Sequence, residues 1–137
     1  IEDKSMYNSD RIVTCFMDQS SKLQLENFEL AKDADLIIDD GSHFMDHQQM
    51  TLPSMFKKLK SGGYYILEDL HSSYLEDWCK YYPKNKTIDY ILKIKEGIDY
   101  DSRFMSSGES QYLKDNIEFV DICENSKMSI TCIIKKK

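Results

Sequence analysis

"ADLIIDDGSH", residues 34 to 43, joins a short apolar run to two adjacent aspartates, a glycine and a histidine. A continuous apolar run of this length is typical of a strand that is buried on both faces of a parallel sheet. Residues 64 to 70, "YYILEDL", repeat the pattern, because a second apolar run meets the adjacent acids Glu68 and Asp69. The two stretches therefore predict two buried strands that both end in acidic side chains.

The surrounding sequence alternates between strand patterns and helix patterns. The other predicted strands are rich in β-branched and aromatic residues and cover residues 11 to 18, 117 to 124 and 128 to 135. The predicted helices carry apolar residues at helical spacing and cover residues 23 to 31, 43 to 60 and 87 to 98. The glycines of "SGG", residues 61 to 63, are expected to end the second helix.

This order of elements predicts an α/β fold with an open, mostly parallel sheet. The last two strands are separated by the short polar stretch "NSK", which predicts a C-terminal antiparallel hairpin. The 137 residues suffice for one domain with a real core and are too few for two domains of ordinary size. We therefore expect a single domain over residues 1 to 137.

Composition and charge exclude several classes of function. The chain carries 24 Asp plus Glu against 18 Lys plus Arg, whereas a nucleic-acid partner normally requires a basic face. No apolar run approaches the roughly 18 residues of a membrane span, and no stretch is typical of a signal peptide. The four cysteines show no CxxC spacing, so neither a zinc site nor a disulfide framework is indicated. We expect a cytoplasmic protein without a nucleic-acid or membrane partner.

The acids at the predicted strand ends are candidate metal ligands. Ligands of an open α/β sheet bind beyond the carboxyl ends of the parallel strands. Neighbouring strands are about 4.8 Å apart, so Asp40, Glu68 and Asp69 are expected to converge and to fit a hard cation such as Mg²⁺. The alternative, that each acid caps a helix or lies in a solvated loop, stays open on these residues alone. Asp39 is expected to support the loop rather than to bind metal.

Histidines and aromatic residues near these acids are further candidates. His43 lies three residues beyond the first acidic pair, where a neutral imidazole is able to accept a proton from a hydroxyl group. A polar residue at a helix start is the alternative interpretation of His43, and His47 is expected to be structural. For His71, Tyr74 and Trp78, a place in the wall of a substrate crevice and a packing role are equally open.

Residues 35 to 74 carry a resemblance to a known family. The pattern is an apolar strand, "DDGSH", a helix, "LKSGG" and a strand that ends in "EDLHSSY". In this order and spacing it resembles the metal-dependent sugar O-methyltransferases of macrolide biosynthesis and their cephalosporin-hydroxylase-like relatives. A weaker match extends over the whole chain and includes "MDQS" at residues 17 to 20. The resemblance implies the Rossmann-like sheet of class I methyltransferases, with its C-terminal antiparallel hairpin.

The resemblance also implies cofactors and residue roles. S-adenosylmethionine would be the methyl donor, and Mg²⁺ would be held by Asp40, Glu68 and Asp69. His43 would be the base that deprotonates the acceptor hydroxyl. The implied cofactor-binding residues are Asp18 and Gln19 near the adenine, with Glu2 and Asp3 as the candidates for the ribose.

The family's glycine-rich loop, which cradles the methionine end of the cofactor, has no counterpart in this chain. We therefore expect the C-terminal part of a longer methyltransferase, without its first strand and helix, and weak or no cofactor binding by the 137 residues alone. The strand at residues 11 to 18 would then lack neighbours, which is costly. We expect it to mediate a homo-oligomer, to pair with residues 34 to 39, or to belong to a longer polypeptide.

The expected function is a Mg²⁺-dependent O-methyltransferase that uses S-adenosylmethionine to methylate a hydroxyl of a sugar, glycan or glycosylated small molecule. His71 and Tyr74 would contact that substrate. Two alternatives stay open on the sequence. One is a catalytically inactive methyltransferase-like or binding domain, and the other is a metal-dependent hydrolase that uses the same acids.

Overall fold

The computed structural model describes residues 5–99, 102–126 and 129–137. Within these ranges the strands are β1 (Ala34–Asp39), β2 (Leu59–Leu67), β3 (Ile117–Ser126) and β4 (Ser129–Lys136). The α-helices are α1 (Lys22–Glu26), α2 (Met45–Phe56), α3 (Glu76–Cys79), α4 (Thr87–Lys95) and α5 (Ser107–Asn116). Short 3-10 helices cover Ser5–Tyr7, Glu29–Ala31 and Leu70–Tyr74. None of the described helices has the length and apolar character needed to cross a membrane.

The four strands form one sheet in the order β1-β2-β4-β3. β1 and β2 are parallel, and the antiparallel hairpin of β3 and β4 joins the sheet through an antiparallel pairing of β4 with β2. Asp39 lies opposite Leu67 in the parallel pair, so the residues that follow both strands emerge at the same edge. The predicted α/β fold, the C-terminal hairpin and the adjacency of the two acidic strand ends are confirmed, whereas the described sheet is mixed rather than mostly parallel, with one parallel and two antiparallel pairings.

The hydrophobic core contains one face of this sheet together with residues of the helices. Tyr65 and Leu67 of β2 are fully buried in one cluster with Leu52 and Phe56 of α2. Complete burial of such a side chain contributes roughly 1.5–3 kcal/mol, so these residues fix α2 against the sheet. The strand registers place four exposed apolar side chains on the opposite face: Leu36, Ile38, Tyr64 and Phe119.

The prediction that "SGG" ends a helix was wrong. α2 ends at Phe56, and residues 61 to 63 lie inside β2 at an irregularity in its pairing with β1. Gly62 has a φ of 78°, a conformation that residues with side chains rarely adopt. A Cβ on Gly63 would lie 3.1 Å from the carbonyl oxygen of Asp35. The glycines therefore permit an irregular, close approach of the two strands.

Residues 11 to 18, predicted as a strand, form no strand, and that prediction was wrong. Most of the segment is exposed, and among the described residues β1 pairs with β2 alone, so the pairing with residues 34 to 39, one of the three expected alternatives, is absent. A strand is stabilised by hydrogen bonds to a neighbour, which this segment lacks. It is held locally instead, because the backbone N–H and the hydroxyl of Thr14 donate to Asn8 Oδ1.

Three helical regions also differ from the prediction. The helix expected at residues 23 to 31 is divided into α1 and a 3-10 helix, and neither α3 nor α5 was predicted. α5 begins with a capping box, in which Ser106 Oγ accepts from the Glu109 N–H and the Glu109 carboxylate accepts from the Ser106 N–H. The S-x-x-E spacing was the available signal. It was missed because α5 carries few apolar residues at helical spacing.

Candidate functional site

The ends of β1 and β2 bring acidic and imidazole side chains together at one edge of the sheet. Asp40 follows β1 directly, and the Glu68 N–H donates to the Asp39 carbonyl oxygen at 3.0 Å, which continues the pairing beyond the strands. One ligand atom from each of Asp40, His43 and Asp69 lies within 4.8 Å of the other two. Two carboxylates at this separation are able to share one cation.

His43 lies beside both carboxylates. Its Nε2 is 3.8 Å from Asp40 Oδ1 and 3.5 Å from Asp69 Oδ2, so the three side chains are near one another without the geometry of hydrogen bonds. The Asp40 side chain is 63% exposed, whereas those of His43 and Asp69 are 21% and 34% exposed. Solvent and small solutes therefore reach the group from the side of Asp40.

The backbone conformations of His43 and Asp69 are unusual. Their φ angles are 58° and 55°, in the left-handed region that costs on the order of 1–3 kcal/mol for a residue with a side chain. Ser72 forms hydrogen bonds to the loops that follow β1 and β2. Its Oγ donates to the His43 carbonyl oxygen at 3.0 Å, and its N–H donates to the Asp69 carbonyl oxygen at 3.0 Å. These bonds offset part of the strain and keep both side chains at the site.

Other residues predicted for this edge lie around the group. His71 Nδ1 is 3.6 Å from Asp69 Oδ1 and has no hydrogen-bond partner among the described residues. The Trp78 ring packs edge-on against His43, with the ring centroids 5.9 Å apart. Tyr74 is exposed, and its ring lies 5.4 Å from Lys86 Nζ. His71 and Trp78 thus border the group, and Tyr74 presents its ring to solvent.

Glu68 does not join the group that Asp40, His43 and Asp69 form. Its backbone carbonyl oxygen accepts from Gln48 Nε2 at 3.3 Å, which ties the end of β2 to α2. The role of Glu68 as a metal ligand stays a prediction.

Asp39, although adjacent to Asp40, lies in a different environment. It is 7% exposed, its Oδ2 accepts from the Tyr65 hydroxyl at 2.7 Å, and its Oδ1 accepts from Gln19 Nε2 at 2.8 Å. Burial raises the pKa of Asp39 despite these donors, because the carboxylate has lost water. Burial and the neighbouring Asp39 raise the pKa of Tyr65 well above its ordinary value. The contacts of Asp39 are those of a structural residue.

Asp18 and Gln19 are the predicted cofactor-binding residues that the structure describes. Asp18 is exposed and accepts hydrogen bonds from the N–H and the hydroxyl of Ser20, which lower the pKa of Asp18. Gln19 is partly buried, and its amide bonds to the loop that follows β1 rather than facing solvent freely. Glu2 and Asp3 lie outside the described residues.

Sequence reasoning missed the contacts of Gln19, Tyr65 and Ser72. Gln19 and Tyr65 meet at the Asp39 carboxylate, across 20 and 26 residues of sequence, and Ser72 contacts His43 across 29 residues. Such pairs leave no periodic signal in a single sequence. Tyr65 in an apolar run is typical of core packing, and only the register of β1 against β2 brings its hydroxyl to Asp39.

The chain is similar to known O-methyltransferases in sequence and in fold. No protein-family model matches the chain. The 8-demethyl-8-alpha-L-rhamnosyl tetracenomycin-C 2'-O-methyltransferase of Streptomyces olivaceus is 30% identical over 109 residues, and the demethylmacrocin O-methyltransferase of Streptomyces fradiae is 39% identical over 77 residues. The chain is homologous to sugar O-methyltransferases. The resemblance carried by residues 35 to 74 is thereby confirmed.

The match to these sugar O-methyltransferases is partial. It covers 75% of this chain and 29% of the S. olivaceus enzyme, and 54% of this chain and 19% of the S. fradiae enzyme. A solved structure of MycE methyltransferase from the mycinamycin biosynthetic pathway, in complex with Mg and SAH, matches with a TM-score of 0.76 at 22% identity. That match covers 98% of this chain and 34% of MycE. The described fold is therefore that of the corresponding part of a methyltransferase.

Proposed function

We propose that this chain carries the metal site and the general base of an O-methyltransferase that depends on S-adenosylmethionine and Mg²⁺ and acts on a hydroxyl of a sugar or glycosylated small molecule. The main support for this proposal is that the side chains of Asp40, His43 and Asp69 lie close together beyond the adjacent ends of β1 and β2. Homology to sugar O-methyltransferases supports it. We also propose that residues 1 to 137 are part of a single methyltransferase domain that works in the cytoplasm, which fits its four free cysteines.

The side chains at this edge fit a hard divalent cation. Asp40 and Asp69 offer carboxylate oxygens, and Glu68 on the same strand end is the third proposed ligand. Mg²⁺ prefers such oxygen ligands and keeps positions for water or substrate oxygens, which the solvent access at Asp40 allows. When bound, Mg²⁺ would orient and acidify the acceptor hydroxyl, and S-adenosylmethionine would supply the methyl group.

His43 is the proposed general base. Its imidazole would accept, at Nε2, the proton that the acceptor hydroxyl loses when it is methylated. The carboxylates of Asp40 and Asp69, at 3.8 and 3.5 Å, favour the positive charge that His43 then carries. The contact with the Trp78 ring limits the movement of the imidazole, whose Nε2 faces the two acids.

Cofactor and substrate contacts extend the proposal. Asp18, Gln19, Glu2 and Asp3 are the proposed cofactor-binding residues. Because the chain spans only 29% of its S. olivaceus relative and 34% of MycE, we propose that further cofactor contacts come from polypeptide beyond these 137 residues.

His71 and Tyr74 are the proposed substrate-binding residues. The exposed ring of Tyr74 suits an apolar face of a sugar or of the molecule that bears it. A second MycE structure contains mycinamycin VI, and the names of the relatives describe acceptors of the same general kind, which supports a small glycosylated substrate.

Calorimetric titration of the 137-residue chain with Mg²⁺ and Mn²⁺ tests the metal site. We expect the wild-type chain to bind, and Asp40→Ala to lose at least about 100-fold in affinity, since changes beyond the direct ligands already cost 10- to 100-fold. The matched control is Asp35→Ala, which removes an exposed aspartate from the other end of β1, where it pairs with Lys60 at 2.9 Å. This control should bind within about twofold of wild type.

The titrations test the metal site as a whole and Asp40 as one of its ligands. A wild-type chain that binds neither ion would overturn the metal site. Equal binding by wild type and Asp40→Ala would remove Asp40 from the ligands and leave Asp69 and Glu68 to be tested by the same substitution.

A further inference from the structure

The side-chain amide of Gln19 joins two parts of the site that are far apart in sequence. Its Nε2 donates to Asp39 Oδ1 at 2.8 Å, at the buried end of β1. Its Oε1 accepts from the backbone N–H of Ser42 at 2.8 Å, in the middle of the loop from Asp40 to His43. One amide therefore links the loop that carries the proposed ligand and the proposed base to the buried end of β1.

The side-chain amide of Gln19 packs directly against Gly41, in the place that a Cβ would occupy. A Cβ built on Gly41 would lie 2.3 Å from Gln19 Oε1 and 2.7 Å from Gln19 Nε2. A Cβ atom does not lie within 3 Å of another non-bonded heavy atom, so one of the two groups must move. The Gln19 side chain is flexible and would move away from the new Cβ. An alanine at this position would therefore displace the amide and break both hydrogen bonds, rather than strain the backbone. Gly41 is required here because of the close approach of Gln19.

The amide is also anchored to the core. Asp39, which receives the Gln19 donor, receives the Tyr65 hydroxyl on its other oxygen at 2.7 Å. Tyr65 is fully buried in the middle of the sheet, and Asp39 is 7% exposed. A continuous row of hydrogen bonds thus runs from the buried β2, through Asp39 and Gln19, to the backbone of Ser42.

We propose that Gln19 is a positioning residue that holds the Asp40–His43 loop in the geometry needed for metal binding and proton transfer. The Asp40 side chain is 63% exposed and has little packing of its own, so its location depends on how its loop is fastened. Residues that orient direct ligands typically change metal affinity by about 10- to 100-fold. The inference rests on the proposed metal site. It does not depend on S-adenosylmethionine, because Gln19 bonds to the loop in the chain without cofactor.

Mn²⁺ titration of Gln19→Ala tests the inference, with Gln24→Ala as the matched control. Gln24 belongs to the same region, but it is exposed and its Oε1 accepts from the Asp18 N–H at 2.9 Å rather than from the loop. We expect at least about tenfold weaker Mn²⁺ binding in Gln19→Ala, and binding within about twofold of wild type in Gln24→Ala. Equal affinities in the two variants would overturn the inference.

A double-mutant cycle with Gly41→Ala separates positioning from general destabilisation. Gly41→Ala should weaken Mn²⁺ binding by about as much as Gln19→Ala, because both remove the same two hydrogen bonds. The double variant should be no weaker than either single variant, since the new methyl group no longer meets the amide. Additive losses would show that the two positions act independently and would overturn the inference.

Hydrogen exchange of the Ser42 amide distinguishes failure of this inference from failure of the metal site. In the metal-free chain Ser42 N–H is bonded to Gln19, so its exchange should accelerate at least about tenfold in Gln19→Ala and stay unchanged in Gln24→Ala. If wild type binds no Mn²⁺, the metal site is wrong. Faster Ser42 exchange would then still support the positioning role, and unchanged exchange would overturn it.

Discussion

Two groups of side chains at the ends of β1 and β2 differ in burial and in hydrogen bonding. Asp39, Tyr65 and Gln19 form a buried network with hydrogen bonds of 2.7 and 2.8 Å. Asp40 and Asp69 are partly exposed and lie 3.8 and 3.5 Å from His43, beyond ordinary hydrogen-bond distances. The first group is satisfied within the protein, whereas the second retains the capacity to bind a ligand.

The difference arises because successive residues of an extended chain point to opposite sides. Asp39 points into the layer where Tyr65 lies, and its neighbour is directed outward at the end of the sheet. Two identical side chains in adjacent positions therefore have separate tasks. The buried group stabilises the strand end, and the exposed group is available for chemistry.

The largest effect is expected for the exposed group. In the longer protein that we propose carries the activity, His43→Ala should lower kcat for methyl transfer by roughly 100-fold, since a general base contributes about 10²- to 10⁴-fold. Cofactor affinity should change little, because the base acts in the transition state. The measurement is a methyl-transfer assay with S-adenosylmethionine, Mg²⁺ and a glycosylated macrolide.

Asp35→Ala is the control for that assay. Asp35 is exposed at the other end of β1, where it pairs with Lys60 at 2.9 Å, and it is not part of the group around Asp40. Its substitution should change kcat by less than about fivefold. A normal kcat for His43→Ala would assign the proton transfer to another residue.

The buried group should dominate stability instead. Asp39→Ala is expected to lower the free energy of unfolding by about 2 kcal/mol, because the Tyr65 hydroxyl and the Gln19 amide lose their buried acceptor. Asp40→Ala should change it by less than about 0.5 kcal/mol, since that side chain is open to solvent. Urea unfolding at 25 °C measures both, and equal destabilisation by the two substitutions would contradict the division of tasks.

The smallest expected effect is a pH dependence of opposite sign at Asp39 and Asp18. Burial raises the pKa of Asp39 above its ordinary value of 3.8, so its contribution to stability is full below pH 3.8 and is lost as the pH rises through the raised pKa. Hydrogen bonds from Ser20 lower the pKa of Asp18, so its contribution is present above pH 3.8 and is lost as the pH falls through the lowered pKa.

Urea unfolding from about pH 3 to pH 7 checks these signs. Relative to wild type, Asp39→Asn should gain stability as the pH rises above 3.8, and Asp18→Asn should gain stability as the pH falls below 3.8. The same sign in both variants would show that the environments of the two aspartates are not as described.

The sequence by itself determined the features that depend on local pattern. Apolar runs next to acids predicted β1 and β2, and the runs around "NSK" predicted the terminal hairpin. The order and spacing of "DDGSH" and "EDLHSSY" were sufficient for the resemblance to the sugar O-methyltransferases, and both motifs lie at the ends of β1 and β2. Parallel pairing then brought the two acidic ends together, as the sheet rule predicts.

Tertiary structure alone decided which side chains meet. Residues 11 to 18 have strand composition but no strand, because a strand depends on a neighbour that local sequence does not specify. Nothing in "DDGSH" indicates that the first aspartate is buried beneath Gln19 and the second exposed beside His43. The hydrogen bond between Gln19 and Asp39 spans 20 residues of sequence. The positions of the His43 and Asp69 side chains depend on left-handed backbone at both residues. These contacts form only when β1 and β2 pair in the observed register.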